Sequence, residues 1–380
     1  MMSCRVCQAD LGDVLAILKD MPASAQNLPL LDQLREDRAR DLQVRQCLGC
    51  GLAQVDCEPV PYYREVIRAV AFSDEMRAFR RSQLRDFASG HRLVGKSVLE
   101  VGCGRGEYLH LLKEAGMVAA GTEYGEVSVA EAQRAGHEAI RVFPGDTRRP
   151  ISGAPFSAFF SFNFMEHWPD PRRVLMNLAI SLDEDAVGLV EVPNFDMLIE
   201  KRMATEFVAD HLSYFTTESL ANTLVLSGLE VLEIREVWYR YILSATVRRR
   251  KPLNLKPFET ALGAQRRRVQ DFIGGAGPNG IAVWGAGHQA LAALALMELH
   301  DCVRYVVDSA PFKQGRFTPA THIPIVAPDT LDADPVGSIL IMAAGFSDEV
   351  AANIFDRWGN RFRLAILRED NVEVVDYGNR

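Results

Sequence analysis

The stretch Ser97-Val-Leu-Glu100-Val-Gly102-Cys-Gly104-Arg-Gly106 decides how the rest of the chain is read. Its first five residues are a short, mostly apolar run of the kind that makes a buried strand. Three glycines at alternate positions follow. They let the main chain turn sharply and let a ligand come close to the backbone. Tyr108, Leu109, Leu111 and Leu112 then fall at helical spacing, up to Gly116, and Val118–Glu123 is a second strand-like run. Further on, Phe156–Phe162 and 186–192 read as buried strands. This alternation predicts a parallel, doubly wound α/β sheet. Upstream, residues 64–91 are charge-rich, with Met76, Phe79, Leu84 and Phe87 at helical spacing, and predict a helix leading into that domain.

A second α/β unit follows. Ile281-Ala-Val-Trp284 reads as a strand, Gly285-Ala-Gly287 as a turn and 289–299 as a helix. Val303–Val307 is the next strand and ends at Asp308; 339–343 and 363–366 are further strand candidates. Two basic clusters lie between the units, Arg248-Arg249-Arg250-Lys251 and Arg266-Arg267-Arg268, the second within a helix expected around 257–273.

The chain as a whole sets limits. Its 380 residues allow two or three domains. Lys and Arg number 42 against 50 Asp and Glu, a net charge of −8, which makes a poor binder of phosphate backbones. No nucleic-acid partner is expected. Seven cysteines are too few for a disulfide scaffold of this length. The opening Met-Met-Ser-Cys-Arg-Val-Cys has no signal pattern, and no apolar run is long enough for a membrane span. The expectation is a cytoplasmic protein without membrane partners, as a monomer or homodimer.

Four cysteines form two equally spaced pairs, Cys4-Arg-Val-Cys7 and Cys47-Leu-Gly-Cys50. Each pair offers two thiolates from one tight turn, and two pairs complete a closed tetrahedral zinc site, structural because no position is left open. A thioredoxin-like redox pair would sit inside a βαβ unit, and neither pair does. Cys57 is the one plausible substitute ligand.

In the first glycine turn, Glu100 precedes the glycines from within the strand, where a carboxylate repels a dinucleotide phosphate and welcomes a sulfonium or amino group. Glu123 ends the next strand, 17 residues after Gly106, placed to accept ribose hydroxyls. With these two features the segment resembles the class I methyltransferases that bind S-adenosylmethionine. The resemblance implies cofactor contacts from Glu100, Gly102, Gly104, Gly106 and Glu123. It adds Asp146 near the adenine and Asn163, in Ser161-Phe-Asn163-Phe-Met-Glu166-His167, at the methionine portion. Glu166 and His167 then lie toward the substrate side.

The string Val307-Asp-Ser-Ala-Pro-Phe-Lys313-Gln-Gly315-Arg-Phe-Thr-Pro319-Ala-Thr-His322-Ile-Pro324-Ile resembles the C-terminal domain of the sugar C-methyltransferases, which methylate C3 of nucleotide-linked 4-keto deoxysugars. The resemblance implies three parts: a zinc-binding module at 1–60, a methyltransferase domain with its helical lead-in at 61–245, and a pseudo-Rossmann substrate domain at 246–380. That family carries Tyr-x-Glu-His after its last core strands. Here the matching stretch is Val208-Ala-Asp210-His211, so the histidine is kept, aspartate replaces glutamate and valine replaces tyrosine. Met165-Glu166-His167 stands where the family has Leu-Cys-His.

Forming a carbon nucleophile beside a ketone requires a base. His211, with an ordinary pKa of about 6.5, suits that work. Asp210 is expected to orient a ring or relay charge, and His167, Asn163 or Tyr214 to donate to the enolate oxygen. A nucleotide-diphosphate sugar would draw on Gly285, Gly287, Asp308, Lys313 and Arg316, with Tyr214 on the substrate side. The missing tyrosine keeps O- or N-methylation of a sugar or other small metabolite open. A non-catalytic zinc and nucleotide-binding protein and an oxidoreductase using the second glycine turn are weaker alternatives.

Overall fold

The computed structural model describes residues 3–65 and 73–376. They belong to two units, Met1–Lys251 and Pro252–Arg380.

The first unit opens with β1 (Leu11–Met21), β2 (Arg40–Cys47) and β3 (Ala53–Val55), paired antiparallel. Register shifts interrupt the β1–β2 ladder at three places and much of β1 is exposed. That is why the segment shows no clean alternation in sequence. The helix expected over 64–91 is α1 (Asp74–Gly90); residues 61–65 form a turn and bend, and 66–72 lie outside the described residues. Ser73 caps α1, its hydroxyl accepting the Met76 N–H at 3.1 Å.

The core domain continues as β4 (Ser97–Val101), α2 (Glu107–Glu114), β5 (Val118–Glu123), α3 (Glu126–Arg134), β6 (Glu138–Arg141), β7 (Phe156–Phe162), α4 (Pro171–Leu178) and β8 (Leu182–Pro193). It closes with α5 (Phe195–Glu200), β9 (Ser213–Tyr214), α6 (Thr217–Leu226), β10 (Leu229–Val237) and β11 (Ile242–Arg249). The large sheet runs β10-β11-β8-β7-β4-β5-β6. Strands β8 to β6 in that order are parallel, as expected, while β10 and β11 add an antiparallel edge. Successive residues of a strand face opposite sides. Leu99 and Phe159 therefore enter one core, and Val98 and Phe160 the other. Both faces are covered, which explains why these strands read as continuous apolar runs.

Strand β9 leaves the large sheet and pairs with β3, Ala53 opposite Tyr214 and Gln54 opposite Ser213. Strands β1, β2 and β3 of the N-terminal segment thus share a four-stranded sheet with the 213–214 segment. The cap of α6 is a reciprocal Thr216–Ser219 pair, which leaves His211 free of any capping role.

The second unit comprises α7 (Lys256–Gly274), β12 (Ile281–Trp284), α8 (His288–Leu296), β13 (Val303–Val307), β14 (Arg316–Phe317), β15 (Pro324–Val326), α9 (Thr330–Ala333), β16 (Ser338–Ile341), α10 (Ser347–Trp358), β17 (Arg363–Leu367) and β18 (Val372–Val375). Its sheet runs β14-β15-β13-β12-β16-β17-β18, parallel in the middle and antiparallel at both edges.

Candidate functional site

The glycine turn after β4 is built from left-handed backbone: φ is +76° at Gly102, +56° at Gly104 and +95° at Gly106. A side chain at Gly102 would strike the Phe164 ring, 2.5 Å from the added carbon. Glu123 closes the turn from β5. Its carboxylate accepts the Gly104 N–H at 3.0 Å and the Tyr124 and Gly125 N–H groups at 2.8 and 2.9 Å. Glu100 is fully buried in β4. Asn163 sits at the end of β7 with φ +49°, its N–H on the Glu191 carbonyl. Asp146 pairs instead with Arg64, at 2.9 and 3.3 Å, and Arg64 lies over the Tyr63 ring. The half-buried turn, its bare glycines and the strand-end carboxylate suit an adenosine sulfonium.

Phe164 links this turn to a histidine pair. Its ring is 6.4 Å from that of His167, which is 4.8 Å from that of His211 and nearly perpendicular to it. Sequence alone does not bring them together. The 166–167 turn and the 210–212 segment are zipped by the Leu212 N–H on the Glu166 carbonyl, and by His167 Nδ1 donating to the Asp210 carbonyl at 2.8 Å. That bond fixes the neutral tautomer, with its lone pair on Nε2. Burial holds His167 down at about 4 and His211 at about 3, and pushes the Glu166 carboxyl up to about 8.

Two expected roles are corrected. Asp210 does not orient the His211 ring through its carboxylate, which is turned to the Tyr62 hydroxyl and the Ala25 N–H, each at 2.7 Å. Its backbone carbonyl positions His167 instead. Tyr214 is no donor to an enolate: its hydroxyl is taken up by Val208, accepting from the N–H at 3.0 Å and facing the carbonyl at 3.4 Å. Tyr214 also lines an apolar cavity of about 230 Å³ with Phe195, Leu198, Met203 and Phe207. Sequence reading missed Tyr62, which stands in no recognisable motif, and Phe164, which lies inside the 161–167 string but carries no polar group to mark it. Glu166 was signalled with His167 by the resemblance of the 161–167 segment, as lying toward the substrate side.

The four N-terminal cysteines converge, all sulfurs lying within 4.8 Å of one another. Cys4 and Cys50 are 3.5 Å apart, Cys7 and Cys47 3.4 Å. Contact with Cys50 draws the Cys4 thiol down to about 5, toward the thiolate that a metal ligand must be. Four sulfurs at this spacing fit a closed tetrahedral zinc. Cys57 is buried and outside the group.

In the second unit, Gly285 has φ +112° and Asp308 accepts the Ala286 and Ala310 N–H groups at 2.8 and 2.9 Å while holding the Lys313 ammonium at 2.8 Å. Arg316 is exposed. The 248–251 run is spent within the first unit: Arg248 pairs with Glu230, Lys251 with Asp185, and Arg249 and Arg250 donate to backbone carbonyls.

Residues 74–234 match the family described as a methyltransferase domain, and residues 247–366 the C-methyltransferase C-terminal domain. The chain is an S-adenosylmethionine-dependent methyltransferase. Among curated proteins it is similar to the C-methyltransferase NovU of Streptomyces niveus, at 24% identity over 304 residues, 72% of either chain. A probable S-adenosylmethionine-dependent methyltransferase of Mycolicibacterium smegmatis is 26% identical over 168 residues, 44% of this chain and 65% of its own length. The plantazolicin methyltransferase BpumL, solved with SAH and a triazolic desmethylPZN analog, aligns with 47% of this chain and 88% of its own at 13% identity and a TM-score of 0.39. With both matched domains in one polypeptide, the chain has the make-up of a C-methyltransferase. No helix among the described residues is long and apolar enough to cross a membrane.

Proposed function

We propose that this methyltransferase places a methyl group on C3 of a nucleotide-linked keto-deoxysugar through a base-generated enolate. The observation that carries the reading is the pair of neutral histidines, His167 and His211, one aromatic ring away from the Gly102 turn. S-adenosylmethionine supplies, when bound, a methyl on a sulfonium open to in-line displacement. Gly102, Gly104 and Gly106 would hold it against the main chain, with Glu100, Glu123 and Asn163 around the nucleoside and methionine portions. Asp146 would reach the adenine while paired with Arg64.

His211 is the base. Burial keeps its ring neutral, so a lone pair is available for the C3 proton, but it also holds the ring down at about 3, a weaker base than the ordinary imidazole expected from sequence. The negative charge that develops on the ketone oxygen then falls to Asn163, since the hydroxyl of Tyr214 is engaged. In the second unit, Gly285, Gly287, Lys313 and Arg316 would receive the diphosphate, with Asp308 fixing Lys313. A structural zinc on Cys4, Cys7, Cys47 and Cys50 would brace the sheet that β9 completes.

Incubation with S-adenosylmethionine and a panel of 4-keto nucleotide sugars is expected to yield S-adenosylhomocysteine and a product heavier by one methylene, its new methyl on carbon by NMR. No turnover across the panel would remove the reading. His211→Asn should lower turnover by roughly 10²–10⁴-fold and leave S-adenosylhomocysteine affinity unchanged. Elemental analysis should find zinc bound at the cysteine site, with one equivalent less per chain in Cys47→Ser. A second reading, methylation of oxygen or nitrogen, is favoured by Val208 at the family tyrosine position; a methyl on oxygen in the product spectrum would select it.

A further inference from the structure

Glu166, His167 and His211 form a second converging group of ligand atoms. One atom from each lies within 4.8 Å of the other two. The carboxylate is the unusual member. Glu166 is 2% exposed, and its Oε2 has no hydrogen-bond partner among the described residues. A buried carboxylate left in this way is costly unless a cation answers it. The nearest ring nitrogen, His167 Nε2, is 4.0 Å from Oε1, too far for a hydrogen bond. Ligands sharing a tetrahedral ion at about 2.0–2.1 Å stand about 3.3 Å apart, so closing the gap needs only a side-chain rotation. His167 is prepared for that role. Its Nδ1–H is anchored on the Asp210 carbonyl, the outer bond that metal-ligating histidines characteristically make, which aims Nε2 at the carboxylate. His211 is only partly buried, so the group has an open side.

We propose that Glu166, His167 and His211 form a binding site for a divalent transition-metal cation, separate from the four-cysteine site. Two imidazoles and one carboxylate select borderline ions such as Zn²⁺, Co²⁺ or Ni²⁺ over Mg²⁺. The ion takes the lone pair of His211. Cation binding and proton abstraction by that ring therefore exclude one another, and the metal is an inhibitor of the transfer. This consequence rests on the base role proposed above; the binding itself does not.

The test uses the full chain with its cysteine site filled by one equivalent of Zn²⁺. Titration with Co²⁺ by calorimetry and visible absorption is expected to show one further ion per chain, with d–d bands and no thiolate charge-transfer bands. Mg²⁺ should give no signal. Glu166→Gln, close in shape, and His211→Asn should each weaken Co²⁺ by at least about tenfold, with thermal melts confirming that both fold. No second Co²⁺, or a Co²⁺ whose affinity and spectrum are the same in both variants, overturns the site. With a turning-over acceptor, Co²⁺ should lower kcat. Undiminished turnover at saturating Co²⁺ places His211 outside the ligand set and also overturns the proposal. Should no acceptor turn over, the binding arms still decide, so failure of the functional reading and failure of the site remain distinct.

Discussion

Two turns of this chain are written in nearly the same letters, Gly102-Cys-Gly104-Arg-Gly106 and Gly285-Ala-Gly287, and each is answered by an acid at the end of the next strand. Their structures differ. The first carries three left-handed glycines in a row of alternate positions. The second has one, Gly285, and an added carbon there would meet the Met342 carbonyl oxygen at 2.7 Å. Gly287 has φ −84°, a conformation open to any residue. The acids differ as well. Glu123 accepts three backbone N–H groups, one of them from inside the glycine turn. Asp308 accepts two, one of them likewise from inside its turn at Ala286, and in addition holds Lys313. An acid that pairs with a lysine of its own loop is stabilising that loop. The same βαβ pattern thus carries a different backbone in the two units: three left-handed glycines in one, and one glycine packed against the Met342 carbonyl in the other.

The harshest test places valine at both turns. In Gly102→Val a β-branched side chain must adopt φ +76° and displace the Phe164 ring, a combination of strain and overpacking of about 2–5 kcal/mol. S-adenosylhomocysteine binding, read by calorimetry, is expected to fall by more than about a hundredfold (~2.8 kcal/mol). Gly285→Val meets a backbone oxygen and should lower the melting temperature of the second unit, with ligand affinity held within about twofold. Equal losses of affinity in the two variants would break the comparison.

A milder pair sharpens it. Glu123→Gln keeps one acceptor oxygen and turns an amide NH₂ toward backbone N–H groups, so the loop loses a charge-assisted bond worth about 1.5–3 kcal/mol. Ligand affinity should drop by roughly ten- to a hundredfold. Asp308→Asn should leave it unchanged in the same titration. A ligand-binding defect in the aspartate variant alone would reverse the assignment of the two turns.

What the sequence discloses follows from how local each signal is. Strands β4, β5 and β7 fall where their apolar runs place them, because both faces of each are buried. The long hairpin of β1 and β2 was not legible, since its register shifts and exposed Leu15 and Ile17 break the alternation that marks a strand. Individual site residues were visible as types, while their partners were not. His167 and Asp210 are 43 positions apart, Tyr62 and Asp210 148, and Ala25 and Asp210 185. No periodicity or spacing rule connects such pairs, because packing alone creates them. The occupation of Tyr214 by Val208 is hidden for the opposite reason: the two lie so close in sequence that a local clamp and a free hydroxyl read alike.

The smallest effect concerns acid stability. Burial pushes the Asp308 carboxyl up, but the Lys313 ammonium and the Ala310 and Ala286 N–H groups outweigh it and hold the group below the ordinary carboxylate range. A carboxyl depressed in the folded state contributes stability above its unfolded pKa of about 3.9 and loses it as pH falls through the folded value. The second unit should therefore melt at progressively lower temperature below about pH 4. Asp308→Asn, which cannot ionise, should flatten that part of the profile, and Lys313→Met, which removes a cause of the depression and lets the folded carboxyl rise toward its unfolded value, should flatten it in part. A profile with the same acid slope in all three proteins would show that the ion pair contributes nothing, and would remove the charge argument that separates the two turns.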